Sequence, residues 1–517
     1  MQPDSTNVPE NKGNSLIFKI KPTLFCAIGG ILLLLFSINA LAKSATVHIT
    51  VKNYRGSIWV YGPELRYDLT KTNTVELKRS TDQSASYTVR TDKPTCLILL
   101  FESDRHFNFS LFLSPGDELF ITADFAKKNN NIVVTGNGSN NNQPEIFALT
   151  NMDIQPFKED TTPYRVISTL NRQFLLNKAM LAHYIKVHQP SASFIKTEMA
   201  NLRYFVPMQY YVSSHNNVNG KPIEQQKKWQ KIQDSLFSTV KLSNDAALSA
   251  YNYTQFIDHI MRIEQSALVD EFRTQPVLFY KQWFHCDTAR GKQLFKSAQM
   301  GILTQKVVDK YFTGRAAEYA YRQALKREFQ QADYPSTILL FDHFKKRYPA
   351  SARAKGFAVP IAEVVNKQRQ ALNSKTFFVR ANGTNLNTFN EVLALNKGKT
   401  VFIDMWGTWC GTCREEIKQH AAQLRAHFKG KNVVFLYIAN LDAGREKEWK
   451  KQINYFQIEG EHILANPKLT EDIMGKVKST GYPTYIIVKK DGNFKQTATR
   501  YPVNILAMIK EIEAARS

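Results

Sequence analysis

The sequence contains few cysteines, five in 517 residues. It has no second Cys pair and no His pair at the spacing of a tetrahedral metal site, which argues against a structural zinc centre. Cys410 and Cys413 form one close pair, separated by Gly411 and Thr412. Two thiols at this spacing can close into a disulfide and reopen, although a single such pair also occurs in zinc sites. The scarcity of cysteine therefore directs attention to this pair.

Signals for nucleic-acid binding are also missing. The formal net charge is +23, but the Lys and Arg residues are scattered among Asp and Glu. There is no Arg-rich arm and no recognised nucleic-acid motif. We interpret the charge as a solvated basic surface and predict no nucleic-acid partner. Attraction to acidic membrane surfaces or acidic proteins stays open.

Charged residues are absent from residues 23–42, and the polar residues 1–22 before them include three lysines. This layout is typical of a secretory leader, with Ala40–Ala42 as its candidate cleavage site. It also matches the roughly 20 apolar residues that span a bilayer. The lysines predict a cytoplasmic N-terminus and an exported remainder. We favour a retained transmembrane anchor over a cleaved signal peptide, because the apolar run is long for a leader.

Cys26 is a poor lipoprotein site, because it begins the apolar run and follows the bulky Phe25. The other four cysteines would face an oxidising compartment. Cys96 and Cys286 either pair or are isolated buried thiols. We favour isolated thiols, since pairing cannot be read from sequence.

The length predicts a multi-domain chain. Short β-rich runs between turn signals predict an all-β sandwich or small barrel over residues 43–142. Residues 136–143, rich in Gly and Asn, are interpreted as a linker. Apolar residues at helical spacing predict an all-α segment over 143–372. Residues 373–517 alternate strands and helices in the order β-α-β-α-β-β-α.

Three local patterns in the second half of the chain are especially clear. A helix is predicted over Ser336–Tyr348, between Pro335 and Pro349. Asn382-Gly383 predicts a hairpin turn. The continuously apolar run 433–439 predicts a strand buried on both faces.

The cysteine pair follows the apolar run 400–405, which predicts a buried strand, and precedes an amphipathic helix that ends at Gly430. Unpaired backbone N–H groups and the helix dipole at such a position stabilise a thiolate. We therefore expect Cys410 to be the exposed, reactive sulfur.

The motif Asp404-x-Trp406-x-x-Trp409-Cys410-x-x-Cys413, followed by Tyr482-Pro483-Thr484, resembles the active-site segments of the thioredoxin superfamily. Within it, residues 373–517 resemble the membrane-tethered, periplasm-facing thiol:disulfide reductases of the TlpA/ResA-like group. The resemblance implies an α/β thioredoxin fold for this C-terminal domain. The turn LSPGDEL and the segment TGNGSNNN also resemble the β-sandwich module that precedes the thioredoxin domain in such proteins of the Bacteroidetes group.

The resemblance assigns roles to individual residues. Cys410 would attack a substrate disulfide, and Cys413 would then attack Cys410 and release the reduced substrate. Asp404 would take the proton from Cys413, the alternative being a strand-end Asp bonded to backbone. Pro483 would be cis. The substrate groove would be formed by Trp409, Gly411, Thr412, Tyr482 and Pro483.

The charged residues after the pair have weaker interpretations. Arg414 and Lys418 either add positive potential or belong to a solvated helix face. Glu415 and Glu416 favour the helix N-terminus.

The function implied is an exported thiol:disulfide oxidoreductase that reduces disulfides of cell-envelope proteins. Its cofactor would be the redox-active disulfide itself, and its electrons would come from a membrane thiol donor. Apocytochromes before haem attachment are one implied substrate, although no haem-ligand motif occurs. Peroxidase activity is disfavoured, because the Pro-x-x-x-Thr-x-x-Cys pattern of peroxiredoxins is absent.

Two questions stay open from sequence. Gly411-Thr412 departs from the Gly-Pro of reducing thioredoxins, which leaves the redox direction undecided. The rival function is a cell-envelope binding or scaffold protein, in which the thioredoxin domain is accessory.

Overall fold

The computed structural model of the protein describes residues 44–499 and 504–516, apart from 63–67, 72–73, 81, 103–106, 127–130, 150–161, 219–222 and 296–297. None of the helices in this described part combines the length and apolar character that a membrane span needs. The predicted leader or anchor, residues 23–42, lies outside the described residues, as do residues 1–22.

The N-terminal region forms two four-stranded sheets, with strand orders β4-β1-β7-β8 and β3-β2-β5-β6. Val47 and Ile49 of the first sheet share one apolar core with Leu97 and Leu99 of the second. Alternate residues of β1 are buried, as expected for strands with one face on a core. The predicted β-rich N-terminal region is therefore confirmed. Its strands are β1 (Ser44–Lys52), β2 (Ser57–Tyr61), β3 (Val75–Glu76), β4 (Ser84–Arg90), β5 (Thr95–Glu102), β6 (Phe107–Leu113), β7 (Glu118–Asp124) and β8 (Asn131–Asn137).

The prediction of a linker over 136–143 is wrong. Gly136 and Asn137 complete β8, and a 3₁₀ turn follows at Ser139–Asn141. Asn142 is fully buried. Its side-chain amide accepts from the backbone N–H of Phe112 at 2.7 Å and donates to the Phe112 carbonyl at 2.8 Å. The Asn142 amide thus makes the two hydrogen bonds to Phe112 that a neighbouring strand would otherwise make. Composition alone does not reveal this role.

The middle of the chain is helical, as predicted. Helix α9 (Tyr334–Arg347) covers the predicted 336–348 helix except for Tyr348, its C-cap, and α1 (Pro163–His188) ends just before Pro190. Aromatic residues fill the core, among them Tyr253, Tyr321 and Phe344. The helices are α1 (Pro163–His188), α2 (Ala192–Val218), α3 (Ile223–Ser238), α4 (Tyr251–Thr274), α5 (Pro276–Phe284), α6 (Thr288–Phe295), α7 (Gln299–Tyr311), α8 (Gly314–Gln330), α9 (Tyr334–Arg347) and α10 (Ala352–Arg369).

The C-terminal region is a six-stranded sheet in the order β14-β13-β10-β11-β12-β9. Every residue of the central strand β10 is buried, because helices cover both faces of the sheet. The strands are β9 (Thr376–Phe378), β10 (Thr400–Trp406), β11 (Val433–Ala439), β12 (Gly460–Leu464), β13 (Thr484–Val488) and β14 (Phe494–Gln496). The helices are α11 (Phe389–Leu395), α12 (Gly411–Glu416), α13 (Ala422–His427), α14 (Glu446–Phe456), α15 (Pro467–Val477) and α16 (Ile505–Arg516).

Two features of this region were not predicted correctly. Strands β9 and β12 and helices α11 and α15 are additional to the predicted order. The hairpin at Asn382-Gly383 is wrong, because β9 runs parallel to β12 and the dipeptide belongs to a 3₁₀ turn. The left-handed backbone expected of a turn is present at Asn382, with φ 56°. The predicted domain boundaries themselves stay predictions.

Replacing Asn142 with Ala should destabilise the β region by about 2–4 kcal/mol, because it leaves the buried N–H and carbonyl of Phe112 without partners. Urea unfolding and hydrogen exchange of the Phe112 amide would measure this. Asn140→Ala is the matched control, since Asn140 is exposed and donates only to the Gln189 carbonyl at 3.2 Å. Equal losses in both variants would contradict the role given to Asn142.

Candidate active site

Cys410 and Cys413 are joined in a disulfide at the start of α12. Cys410 is the N-cap residue, and its sulfur accepts the backbone N–H of Cys413 at 3.2 Å. Cys410 is 6% exposed and Cys413 1% exposed. The expected order of exposure is present, but both cysteine residues are largely buried in the disulfide state.

The loop between β10 and the cysteines is fixed by the carboxylate of Asp442. Thr408 donates its backbone N–H to Asp442 Oδ2 at 2.7 Å and its hydroxyl to Oδ1 at 2.5 Å. Asp442 is fully buried, and burial raises the pKa of this carboxyl. Sequence reasoning missed Asp442. Its only signal is an acidic residue shortly after the carboxyl end of a buried strand.

Trp409, the residue before the reactive cysteine, is 40% exposed, and its ring is fixed by a hydrogen bond to the backbone. Its ring N–H donates to the Asn440 carbonyl at 2.8 Å. Gly407 leaves room for this ring, since a Cβ there would lie 2.4 Å from Trp409 Nε1. The Tyr482 ring meets Trp409 edge-on, with centroids 5.4 Å apart. These two predicted groove residues are therefore brought together.

The Tyr482–Pro483 peptide bond is cis, as predicted. Thr484, the next residue, begins β13, which pairs with the strand that leads to the cysteines. This pairing brings the Tyr482–Pro483 step to the end of β10 that carries the site.

Asp404 lies on β10 and is buried. Its Oδ1 atom has no hydrogen-bond partner. Burial raises the pKa of Asp404 from 3.8 to about 8, and the charge of Glu416 adds to this rise. The alternative interpretation was a carboxylate hydrogen-bonded to backbone groups. It does not hold for Oδ1, because this atom has no partner. A carboxyl that is protonated at neutral pH can exchange a proton with a thiol.

Glu416 and His420 extend this set of titratable groups. Glu416 Oε2 lies 3.8 Å from His420 Nε2, and neither atom has a hydrogen-bond partner. Burial raises the pKa of the Glu416 carboxyl, and the charge of His420 opposes the rise. From sequence, Glu416 was given only a helix-end role. The missed signal is its spacing, because a residue three after Cys413 lies on the same helix face.

Arg414 does not belong to a solvated helix face, because its side chain is buried. Its Nε donates to the Gln331 carbonyl at 2.9 Å, and its Nη1 donates to the Thr408 carbonyl. Burial lowers the pKa of this guanidinium, and the carboxylates of Asp333 and Glu328 oppose that effect. Lys418, in contrast, is exposed.

No group of three His, Cys, Asp or Glu residues in the described part of the chain could hold a metal ion. Neither Cys96 nor Cys286 is in a disulfide. The Cys96 thiol lies 3.6 Å from the Ser249 carbonyl, between the β region and the helical region. The isolated-thiol interpretation is therefore the one that matches the structure.

The Redoxin family model matches residues 378–514, the segment that contains the site. An uncharacterised protein of Haemophilus influenzae is 31% identical over 121 residues, which are 22% of this chain and 71% of that protein. The chain belongs to the thioredoxin superfamily. Its Redoxin domain, with the Cys410–Cys413 disulfide, is a thiol-disulfide oxidoreductase domain.

Solved structures also match the Redoxin domain. The thioredoxin domain of a thiol-disulfide oxidoreductase from Bacteroides vulgatus is 24% identical, covering 24% of this chain and 82% of that one, with a TM-score of 0.21. An exposed lipoprotein thioredoxin from Streptococcus pneumoniae is 20% identical, covering 23% of this chain and 89% of that one, with a TM-score of 0.18. These scores are low, so the assignment depends on the family model and the site geometry.

The raised pKa of Asp404 predicts a pH-dependent effect of Asp404→Asn. The native carboxyl keeps its proton up to about pH 8, whereas an unfolded Asp releases it near pH 4. The free energy of unfolding of the wild type should therefore fall as pH rises through this window. Asn cannot ionise, so the free energy of unfolding of the variant should not fall in this way. It should exceed that of the wild type by roughly 2 kcal/mol or more at pH 8.5 and should equal it at pH 4.

Guanidinium unfolding of the oxidised proteins at several pH values would measure this gain. Glu415→Gln, which changes an exposed carboxyl on α12, the helix that begins at the cysteine pair, is the control and should show no such trend. A difference between Asp404→Asn and wild type that does not change with pH would contradict the assignment.

Proposed function

We propose that this chain is an exported thiol:disulfide oxidoreductase that reduces disulfides in proteins of the cell envelope. The observation that carries the proposal is a disulfide at a helix start, with the buried, partly unpartnered carboxyl of Asp404 on the strand that leads to it. Sulfur at that position accepts a helix N–H, which favours the thiolate form needed for attack.

In the reduced protein, the Cys410 thiolate attacks one sulfur of a substrate disulfide. A mixed disulfide forms, and the other substrate sulfur leaves as a thiolate. In molecules whose Asp404 has released its own proton to solvent, the Asp404 carboxylate accepts the proton of Cys413, and the Cys413 thiolate attacks Cys410. The substrate is released with two thiols, and the two electrons it gained have come from the cysteine pair.

The cysteine pair must then be reduced again by a donor of two electrons. We propose a membrane thiol protein as this donor, with residues 23–42 holding the chain at the membrane. Disulfide-containing envelope proteins, apocytochromes among them, are the proposed substrates. The support is the basic residues before an uncharged apolar run, together with the cysteine pair.

Insulin reduction in the presence of a thiol donor tests the chemistry. Cys410→Ala should lower the catalysed rate at least about 100-fold, to the rate of the donor alone, because the attacking sulfur is gone. Cys413→Ala should instead accumulate a mixed disulfide through Cys410, detected by mass spectrometry. Cys96→Ala is the matched control and should keep the wild-type rate. Equal, negligible turnover of wild type and Cys410→Ala would favour the binding or scaffold function.

A redox titration of Cys410 and Cys413 tests the direction. We expect a reduction potential of about −270 mV, as in a reducing thioredoxin, and not one of about −120 mV, as in a strong oxidant. Thiol alkylation after equilibration with glutathione or dithiothreitol buffers would measure it. A value near the oxidising limit would reverse the proposed direction while leaving the thiol chemistry intact.

A further inference from the structure

The helical region reaches the redox site through the turn between α8 and α9, residues 331–333. Gln331 is the contact residue of this turn. A Cβ atom added at Gly411, between the two cysteines, would lie 3.7 Å from Gln331 Oε1, in ordinary van der Waals contact. A side chain from another part of the fold therefore lies beside Gly411, the first residue between Cys410 and Cys413.

The turn is fixed in place by a buried cation. Arg414, directly after Cys413, binds the Gln331 carbonyl on one side and the Thr408 carbonyl on the other. The acidic residues that favour its charge, Asp333 and Glu328, belong to the same helical region. Removing one partner of such a buried charge is strongly destabilising, so the turn has little freedom to leave the site.

Further contacts keep the same two regions together. Tyr334, at the start of α9, packs on Tyr455 of α14 with ring centroids 4.1 Å apart. Asn454 of α14 donates to the carbonyls of Gln368 and Gln370 at 3.3 and 2.5 Å. The turn is therefore part of a packed interface rather than a loose loop.

The site also has exposed apolar side chains. Trp409 is 40% exposed, and Leu441, next to the Asn440 that holds Trp409, is 62% exposed. Exposed apolar side chains beside a reactive group are the usual contact points of a polypeptide. A segment that lies on Trp409 and Leu441 contacts these apolar side chains, whereas one that continues past Gly411 meets Gln331.

We propose that Gln331 is a specificity-determining residue of the redox site, forming a wall that admits disulfide-bearing polypeptide only from the Trp409 side. The substrate class is a disulfide in a protruding or terminal segment, not one in the middle of a flat folded surface. Gln331 would touch the substrate but take no part in bond making or breaking. This inference rests on the proposed function for its substrate, but the wall itself can be tested without turnover.

The test uses two reagents of different size on Cys410 of the reduced full chain. Iodoacetamide reports the reactivity of the thiolate, and a 5-kDa polyethylene glycol maleimide reports the space around it; mass spectrometry assigns each product to Cys410. Gln331→Trp should lower the ratio of the large-reagent rate to the small-reagent rate about tenfold, and Gln331→Ala should raise it about threefold. Both variants keep the backbone carbonyl that binds Arg414.

Gln282→Trp is the matched control and should leave the ratio at the wild-type value, because Gln282 is an exposed glutamine on α5, which packs on α4 and α6. An unchanged ratio in Gln331→Ala overturns the wall, even if Gln331→Trp fails to fold. A shifted ratio in a protein that does not reduce insulin would instead reject the proposed function and keep the wall. If the proposed function and the wall at Gln331 are both supported, kcat/KM for insulin should change in the same direction as the ratio of the large-reagent rate to the small-reagent rate.

Discussion

The site depends on one hydrogen bond, from the backbone N–H of Cys413 to the sulfur of Cys410. This bond makes the reactive sulfur the cap of α12, so the first acceptor of the helix is also the atom that does the chemistry. Capping groups at helix starts accept N–H bonds and favour negative charge. A neutral thiol is a weak acceptor, and a thiolate is a better one. Helix formation and nucleophile activation therefore have the same physical cause.

Three ionisable side chains linked to this segment are buried. Asp404 lies on the strand that leads to the cysteines, Asp442 binds Thr408, and Arg414 directly follows Cys413. Their hydrogen bonding differs. Asp442 is satisfied by Thr408, Arg414 is satisfied by two carbonyls, and Asp404 keeps an oxygen without a partner. Buried carboxyls without partners are destabilising when charged, so the one left unsatisfied is the one suited to move a proton.

Sequence predicted the parts of this site that are local in the chain. A buried strand, two cysteines and a Tyr-Pro step can be read from neighbouring residues, and β10, α12 and the cis bond lie where they were expected. Strand β12 was missed because its centre is His462, a polar residue in a buried position. Burial lowers the pKa of this His to about 4, so it is neutral and packs stacked on Tyr437. A hydropathy pattern does not contain that information.

Contacts between distant segments were beyond sequence reasoning for a similar reason. Thr408 and Asp442 are 34 residues apart, and Arg414 and Gln331 are 83 apart. Nothing in the local pattern around Arg414 distinguishes a buried guanidinium from a solvated one, since both follow a helix start equally well. The prediction of a linker at 136–143 failed in the same way, because Asn142 is used as a substitute for backbone.

The position of Arg414 also limits how the protein can move. Its guanidinium holds the carbonyl before Trp409 and the carbonyl of Gln331 at the same time, so it joins the cysteine loop to the helical region. Separating the two regions would take the Gln331 carbonyl and the carboxylates of Asp333 and Glu328 away from this guanidinium. The pair of tyrosines at the same interface would lose their contact as well. The Redoxin domain and the helical region are therefore joined directly at the cysteine loop, and the selection proposed for Gln331 would be a property of both.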